Sequence, residues 1–305
     1  MKSSYYIKAI IGLLFLFASS QSFAQKEIDF RFNLEEGACF EMQSTISSQS
    51  SASINNEVQE NKSEYTKVLQ YRVAKKAPDS YLLNFMYTDC YSTMTFGKRE
   101  IIINPKTADM LNILDASTQM AMMINKPFSV ELSHSGKILA IKENKDIAKA
   151  FKSKTKKLSP ALREQVYSVV NSLANSEVLA NHIESWINYM PASAIKIGDK
   201  WTVQKDSTRT TDYTFVAEMD SIYIIKGVGN SEITITNKVQ GMTMLVNKEE
   251  EFTTYIEIDK QTFLPKIIIT EIEGLTKTEM PDYPAFPVST AQSHSTFILE
   301  KRNCP

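Results

Sequence analysis

Apolar and polar residues alternate with a period of two along most of this chain. Tyr81, Leu83, Phe85 and Tyr87 form one such set, and Phe40 with Met42 forms another. Alternation of this kind marks antiparallel strands that bury one face. It predicts strands over 38–46, 65–73, 81–95, 100–104, 109–114, 200–205, 211–219, 222–227, 231–238, 241–258, 264–273 and 289–300. The run from Lys75 to Ser80, with Pro78, reads as a turn. Residues 128–132 and 137–141 read as a hairpin, with Gly136 free to take a positive φ. Residues 47–63 are rich in Ser, Asn, Gln and Glu, and predict an exposed hairpin or a mobile loop. Glu249, Glu250 and Glu251 read as a solvated edge that discourages sheet-to-sheet aggregation.

The period changes over 144–189. Leu162, Val166, Val169, Val170 and Leu173 recur at helical intervals, with Ser159 as N-cap and Pro160 at the first helical position. Asn175 or Ser176 would cap a second helix carrying Leu179, Ile183, Trp186 and Ile187, ended by Pro191. The fold class expected is therefore α+β, mostly antiparallel β. Two β-meander sheets would pack as a sandwich or an open half-barrel, with a helical insertion at about 144–189 across an open end or concave face. The two meanders echo each other. Gly37, Phe40, Met42 and Gln43 recur in Gly198, Trp201, Val203 and Gln204. Tyr71 to Val73 recurs in Tyr213 to Phe215, and Val130 to Leu132 in Ile256 to Ile258. A duplicated meander would explain that order.

The first residues carry Lys2 and Lys8, then a short apolar run from Ile10 to Ala18, then Ser22-Phe23-Ala24. This is the form of a secretory leader cleaved before Gln25, too short to span a bilayer. The division expected is 1–24 signal peptide, 25–142 first meander, 143–191 helical segment and 192–305 second meander, with 25–305 one compact unit. The mature chain, with no transmembrane segment, would work in the periplasm or at the cell surface. Two of the 34 basic residues lie in the leader, against 35 acidic ones in all, so the mature charge is about −3. That balance argues against nucleic acid as a partner. Three cysteines allow one disulfide in an oxidising compartment. Cys39 and Cys90 both fall opposite the apolar set of their strands, so a Cys39–Cys90 bridge is the candidate if those strands are neighbours.

Catalytic chemistry finds little footing. No Gly-x-Ser-x-Gly, His-Glu-x-x-His or glycine-rich phosphate loop is present. His134, His182 and His294 stand apart from one another, which predicts no metal and no cofactor. They read as a turn residue, an exposed helix residue and a strand residue. The lysines between 145 and 157 read as a solvated face. Met110, Met120, Met122 and Met123 cluster where a short helix over 115–124 would present them. Clustered thioethers suit varied apolar ligands, so these four are the candidate ligand-binding residues, the alternative being that they fill the core.

Gly37-x-x-Phe40, the hairpin Phe128 to Ile138, the helical stretch and Lys196-Ile197-Gly198-Asp199-Lys200-Trp201 together resemble a family of uncharacterised exported proteins of Bacteroidota, a domain of unknown function. The resemblance implies a β-rich periplasmic or surface protein and brings no catalytic residues with it. The function expected is a non-enzymatic envelope protein that binds or carries a lipid or other apolar ligand between its sheets. The alternative is a structural or interaction protein that docks an envelope protein partner.

Overall fold

The computed structural model describes residues 26–54, 57–142, 145–204, 208–239, 242–281 and 289–304. The expected leader and its cleavage site lie outside the described residues. Twelve strands follow the alternation: β1 (Cys39–Ile54), β2 (Glu57–Lys76), β3 (Ser80–Phe96), β4 (Arg99–Ile103), β5 (Phe128–Ser133), β6 (Ile138–Lys142), β7 (Lys200–Gln204), β8 (Arg209–Glu218), β9 (Ile222–Val239), β10 (Met242–Asp259), β11 (Pro265–Glu279) and β12 (Ser289–Asn303). Four helices are α1 (Ala116–Ala121), α2 (Lys145–Lys154), α3 (Pro160–Ala174) and α4 (Ser176–Ile187).

The class is α+β, mostly antiparallel β, and the two meanders are halves of one open sheet rather than two stacked sheets. The strand order is β6-β5-β3-β2-β1-β12-β11-β10-β9-β8-β7, with β4 on β3. The seam is the β1–β12 pair, in register from Phe40↔Asn303 to Ala52↔Ala291. Every other pair of neighbours on this path is consecutive in the chain, except β3 and β5, between which β4 and α1 intervene, so each half is a meander. Its free edges, β6 and β7, are the two strands between which α2, α3 and α4 are inserted.

The sheet curls because one apolar filling serves both halves. α4 packs on β6, and its Trp186 meets Phe40 and Tyr71 of the first half. Just beyond α4, the Tyr189 carbonyl accepts from Trp201 Nε1 of β7 at 3.0 Å. The segment before β1 lies inside as well. Phe30 touches Phe215, Tyr223 and Phe263 of the second half, while Phe32 touches Trp186. Tyr81 Oη donates to the Phe32 carbonyl at 2.9 Å, so this buried segment has partners for its backbone. The half-barrel is thus closed by α4 and residues 28–34, whose Ile28, Phe30, Phe32 and Leu34 are all buried.

The sequence echo has a geometric counterpart. Gly37 and Gly198 both have positive φ, and each N–H donates across to the next strand, to Val73 O at 2.9 Å and Phe215 O at 2.8 Å. Phe40 stacks on Tyr71 and Trp201 on Tyr213, with centroids 5.3 and 5.6 Å apart. A bulge follows at the same place in each half, between Val73 and Lys75 and between Phe215 and Ala217.

Several expectations need correction. Residues 109–114 are turns leading to α1, whose Asp115 side chain accepts from Thr118 N–H. The two strands expected over 222–238 are one, β9. Residues 47–63 take the hairpin form, and their pairing extends to Ile54↔Glu57. Glu249 to Glu251 lie on β10, an interior strand, not on an edge.

The Cys39–Cys90 pairing is also overturned. The structure joins Cys39 to Cys304 across the seam, with Cα atoms 5.7 Å apart, and leaves Cys90 a buried thiol. Two features explain this. β2 stands between β1 and β3, so their side chains are not neighbours. A bulge at Thr88, opposite Val68 and Leu69, then shifts the parity of β3, so Cys90 joins the concave face with Tyr87.

Candidate functional site

The strands outrun their own core. Twenty residues of β2 reach roughly 65 Å at 3.3 Å per residue, whereas the core-filling side chains of β1 stop near its start. Along the concave face of β1, Phe40 and Met42 give way to Ser44, Ile46 and Ser48. At this boundary the sheet, curling away from α4, leaves a cavity of about 270 Å3. Its floor is Ile46, Phe252, Ile256, Ile268, Ile272 and Phe297, and its wall is Glu184 and Ser185 of α4 with the C-cap Asn188. Thr254 and Thr270 share a hydrogen bond at 3.0 Å within it, so their hydroxyls are satisfied. Arg209 lies at one end, its guanidinium 4.4 Å from the Phe252 ring centre. Eight aliphatic or aromatic residues and eight polar ones line the cavity, an apolar floor under a polar wall, which suits a small molecule with both characters. Gly227 belongs to its construction, because a Cβ there would lie 2.6 Å from the Tyr213 ring.

Beside the cavity, under α4, lies a second feature. Lys67 is buried on the concave face of β2, with Ser44 opposite it on β1 and Cys90 opposite it on β3. Among the described residues no carboxylate pairs with Lys67. Burial pulls its ammonium down to about 8, and the neighbouring Cys90 opposes that shift. Cys90 is itself pushed up by burial, as is Tyr65, which hydrogen-bonds to it. Ser44 Oγ is buried without a hydrogen-bond partner. His182, reaching in from α4, shares a 2.7 Å hydrogen bond with Tyr87 Oη.

His182 is therefore half-buried and not the exposed helix residue its position suggests. Burial, then the Lys67 charge, lowers its pKa to about 3. The unfolded ring titrates near 6.5. Below that pH the unfolded chain takes a proton that the folded chain refuses until about pH 3. Stability contributed by the neutral ring is thus complete above pH 6.5 and lost between 6.5 and 3. We expect that loss to be about 2 kcal/mol, allowing for a ring that still meets some solvent. His182→Gln should flatten the urea midpoint across that window, and an unchanged slope would show the ring to be solvated.

The predicted methionines are not part of this site. Met122 and Met123 are buried in the core, Met120 is buried in α1, and Met110 is 43% exposed. None of the four lines the cavity. The residues that do line it came from strands expected only to pack, and the sign was the switch from Phe40 and Met42 to Ser44, Ile46 and Ser48 along β1. Among the described residues no three His, Cys, Asp or Glu side chains could hold a metal ion. Among them, too, no helix is long and apolar enough to cross a membrane.

The fold and cavity define a long-stranded antiparallel half-barrel closed by a helix. Residues 78–265 match the model of a family of unknown function, DUF6263, and the chain belongs to that family. No curated protein matches the sequence. Among solved structures the chain is similar to lipovitellin, in a study of its lipid–protein interactions, with 11% identity and a TM-score of 0.45. That match covers 90% of this chain and 26% of that one. An outer membrane channel from Pseudomonas putida F1 matches with 8% identity and a TM-score of 0.24, over 89% and 98% of the two chains. The translocator domain of autotransporter NalP from Neisseria meningitidis matches with 5% identity and a TM-score of 0.19, over 98% and 97%. Scores this low carry no functional weight.

Proposed function

We propose that this protein is an exported, non-enzymatic carrier that holds an apolar or amphipathic ligand against the concave face of its half-barrel, beneath α4. The observation that carries the reading is the cavity itself. Apolar side chains from β1, β10, β11 and β12 converge on it, and a helix edge covers it without filling it. The Cys39–Cys304 bridge supports an oxidising compartment, as does the expected leader. A cavity of about 270 Å3 is near the lower end of ligand sites, roughly 300 to 1,000 Å3, which suits a single acyl chain better than a two-chain lipid.

Native mass spectrometry of residues 25–305, purified from an exported preparation without detergent, tests this. Extra mass removed by organic extraction is the expected result. Thr254→Trp would fill the cavity and should leave the protein folded with that mass gone. A bare protein that takes up no fatty acid, alcohol or other lipid would count against a carrier. A second reading has one observation in its favour. The β1–β2 hairpin projects beyond the core and exposes Val58 near its tip, as an arm for an envelope protein partner would. A stoichiometric protein recovered from envelope extracts, lost on shortening that hairpin, would favour it.

A further inference from the structure

Lys67 is the one charged side chain among the buried described residues. Native proteins rarely bury an ammonium without a counter-charge, because the desolvation it suffers is then uncompensated. Here the described neighbours offer little: Cys90 opposes the shift, but burial pushes its own thiol up and so disfavours the thiolate. Ser44, Cys90, Tyr65 and Tyr87 are hydroxyls or a thiol, and His182 is neutral. Two polar groups stand together on adjacent strands: the Lys67 ammonium lacks an ion-pair partner among the described residues, and the buried Ser44 hydroxyl lacks a hydrogen bond. Both are donors, and both would be satisfied by one oxyanion.

The register connects this pair to the cavity. Cys90, Lys67, Ser44, Leu299, Ile268 and Ile256 lie opposite one another in turn across β3, β2, β1, β12, β11 and β10, forming one continuous rung of the concave face. Ile268 and Ile256, at one end, line the cavity. On the next rung Tyr65 is opposite Ile46, and Ile46 lines it too. Adjacent strands are spaced about 4.8 Å apart, so the amine and the apolar floor are separated by only a few strand widths. The rung thus runs from a buried cation to an aliphatic surface.

We infer that the ligand of this cavity is a single-chain amphiphile with an anionic head, its oxyanion held by Lys67 and the Ser44 hydroxyl and its chain laid over Ile46 toward Ile256 and Ile268. This rests on reading the cavity as a ligand site, and adds the polarity and charge of what it takes. A neutral-headed chain would leave the ammonium as uncompensated as it is in the empty protein. The Arg209 end of the cavity is the weaker candidate for the head, because Arg209 already engages the Phe252 ring.

The test compares three probes on delipidated residues 25–305: oleate, oleyl alcohol and acetate, by titration calorimetry. Oleate should bind at least about tenfold tighter than oleyl alcohol, the worth of one charge-assisted hydrogen bond. Lys67→Met should erase that preference while raising the melting temperature, since it removes a buried charge. Lys67→Arg should keep the preference. The opposite signs of the Lys67→Met effects separate loss of the head site from loss of the fold. Equal affinity for oleate and oleyl alcohol in the unaltered protein would overturn the anionic head and leave the carrier reading standing. Acetate binding as tightly as oleate would show an anion site with no chain, against the amphiphile. Failure of the folded protein to bind any of the three would overturn both.

Discussion

Replacing Cys39 and Cys304 with serine should destabilise the protein by about 4 kcal/mol, toward the upper end of what a single disulfide contributes. The bridge joins positions 265 residues apart, close to the two ends of the described chain. Such a link removes most of the conformational freedom that the unfolded ends would otherwise have. It also sits at the one place where the meander must find a partner distant in sequence. β1 and β12 are the first and last strands, and they must meet in register to join the two halves. The check is urea unfolding of the double variant, or of the unaltered protein with and without reductant. A loss below about 1 kcal/mol would mean that strand pairing alone holds the seam, with the cross-link adding little over its native-state strain. Non-reducing peptide mapping should recover the peptides of Cys39 and Cys304 linked. Cys90, buried and with its thiol pushed up by burial, should resist thiol reagents until the protein unfolds.

Trp186→Ala should lower stability by about 4 kcal/mol, the usual cost of emptying a large aromatic site. Trp186 is fully buried and touches Phe32, Phe40 and Tyr71. Its indole N–H donates to Tyr71 Oη at 3.2 Å, so the truncation also strips a buried hydroxyl of its donor. These contacts fasten α4, with its His182, Glu184 and Ser185 and its C-cap Asn188, over the concave face. Loss of the anchor should therefore loosen the cavity as well as the core. Denaturant unfolding gives the first effect. Increased binding of a hydrophobic dye before the main transition gives the second. A variant as stable as the parent would show that α4 does not close the half-barrel.

Local alternation made much of the fold legible. Tyr81, Leu83, Phe85 and Tyr87 announce one buried face of β3 without reference to any other segment, and Ser159, Pro160 and Asn175 mark helix starts by their own hydrogen-bonding chemistry. The cavity was less legible. Thr254, Thr270 and Ile46 are ordinary strand residues until the register places them on neighbouring rungs. For the methionines, composition identifies adaptable apolar side chains but not which of them a core absorbs, and Met122 and Met123 lie in the core.

The amino-acid pattern by itself determined the antiparallel class, the position of the helical insertion and the repeated Gly-aromatic opening of each half. These follow from backbone geometry and burial acting over a few residues. Only the tertiary structure decided that one sheet forms rather than two, that Cys39 meets Cys304, that Lys67 is buried and that His182 is half-buried. The meeting of β1 with β12 is a pairing between opposite ends of the chain, and no local pattern encodes it. The parity of Cys90 turns on a single extra residue, Thr88, whose bulge reverses every side chain beyond it. Lys67 and His182 become unusual only because a helix from the middle of the chain covers a strand from its beginning, and so withdraws from water two groups that the sequence shows as polar.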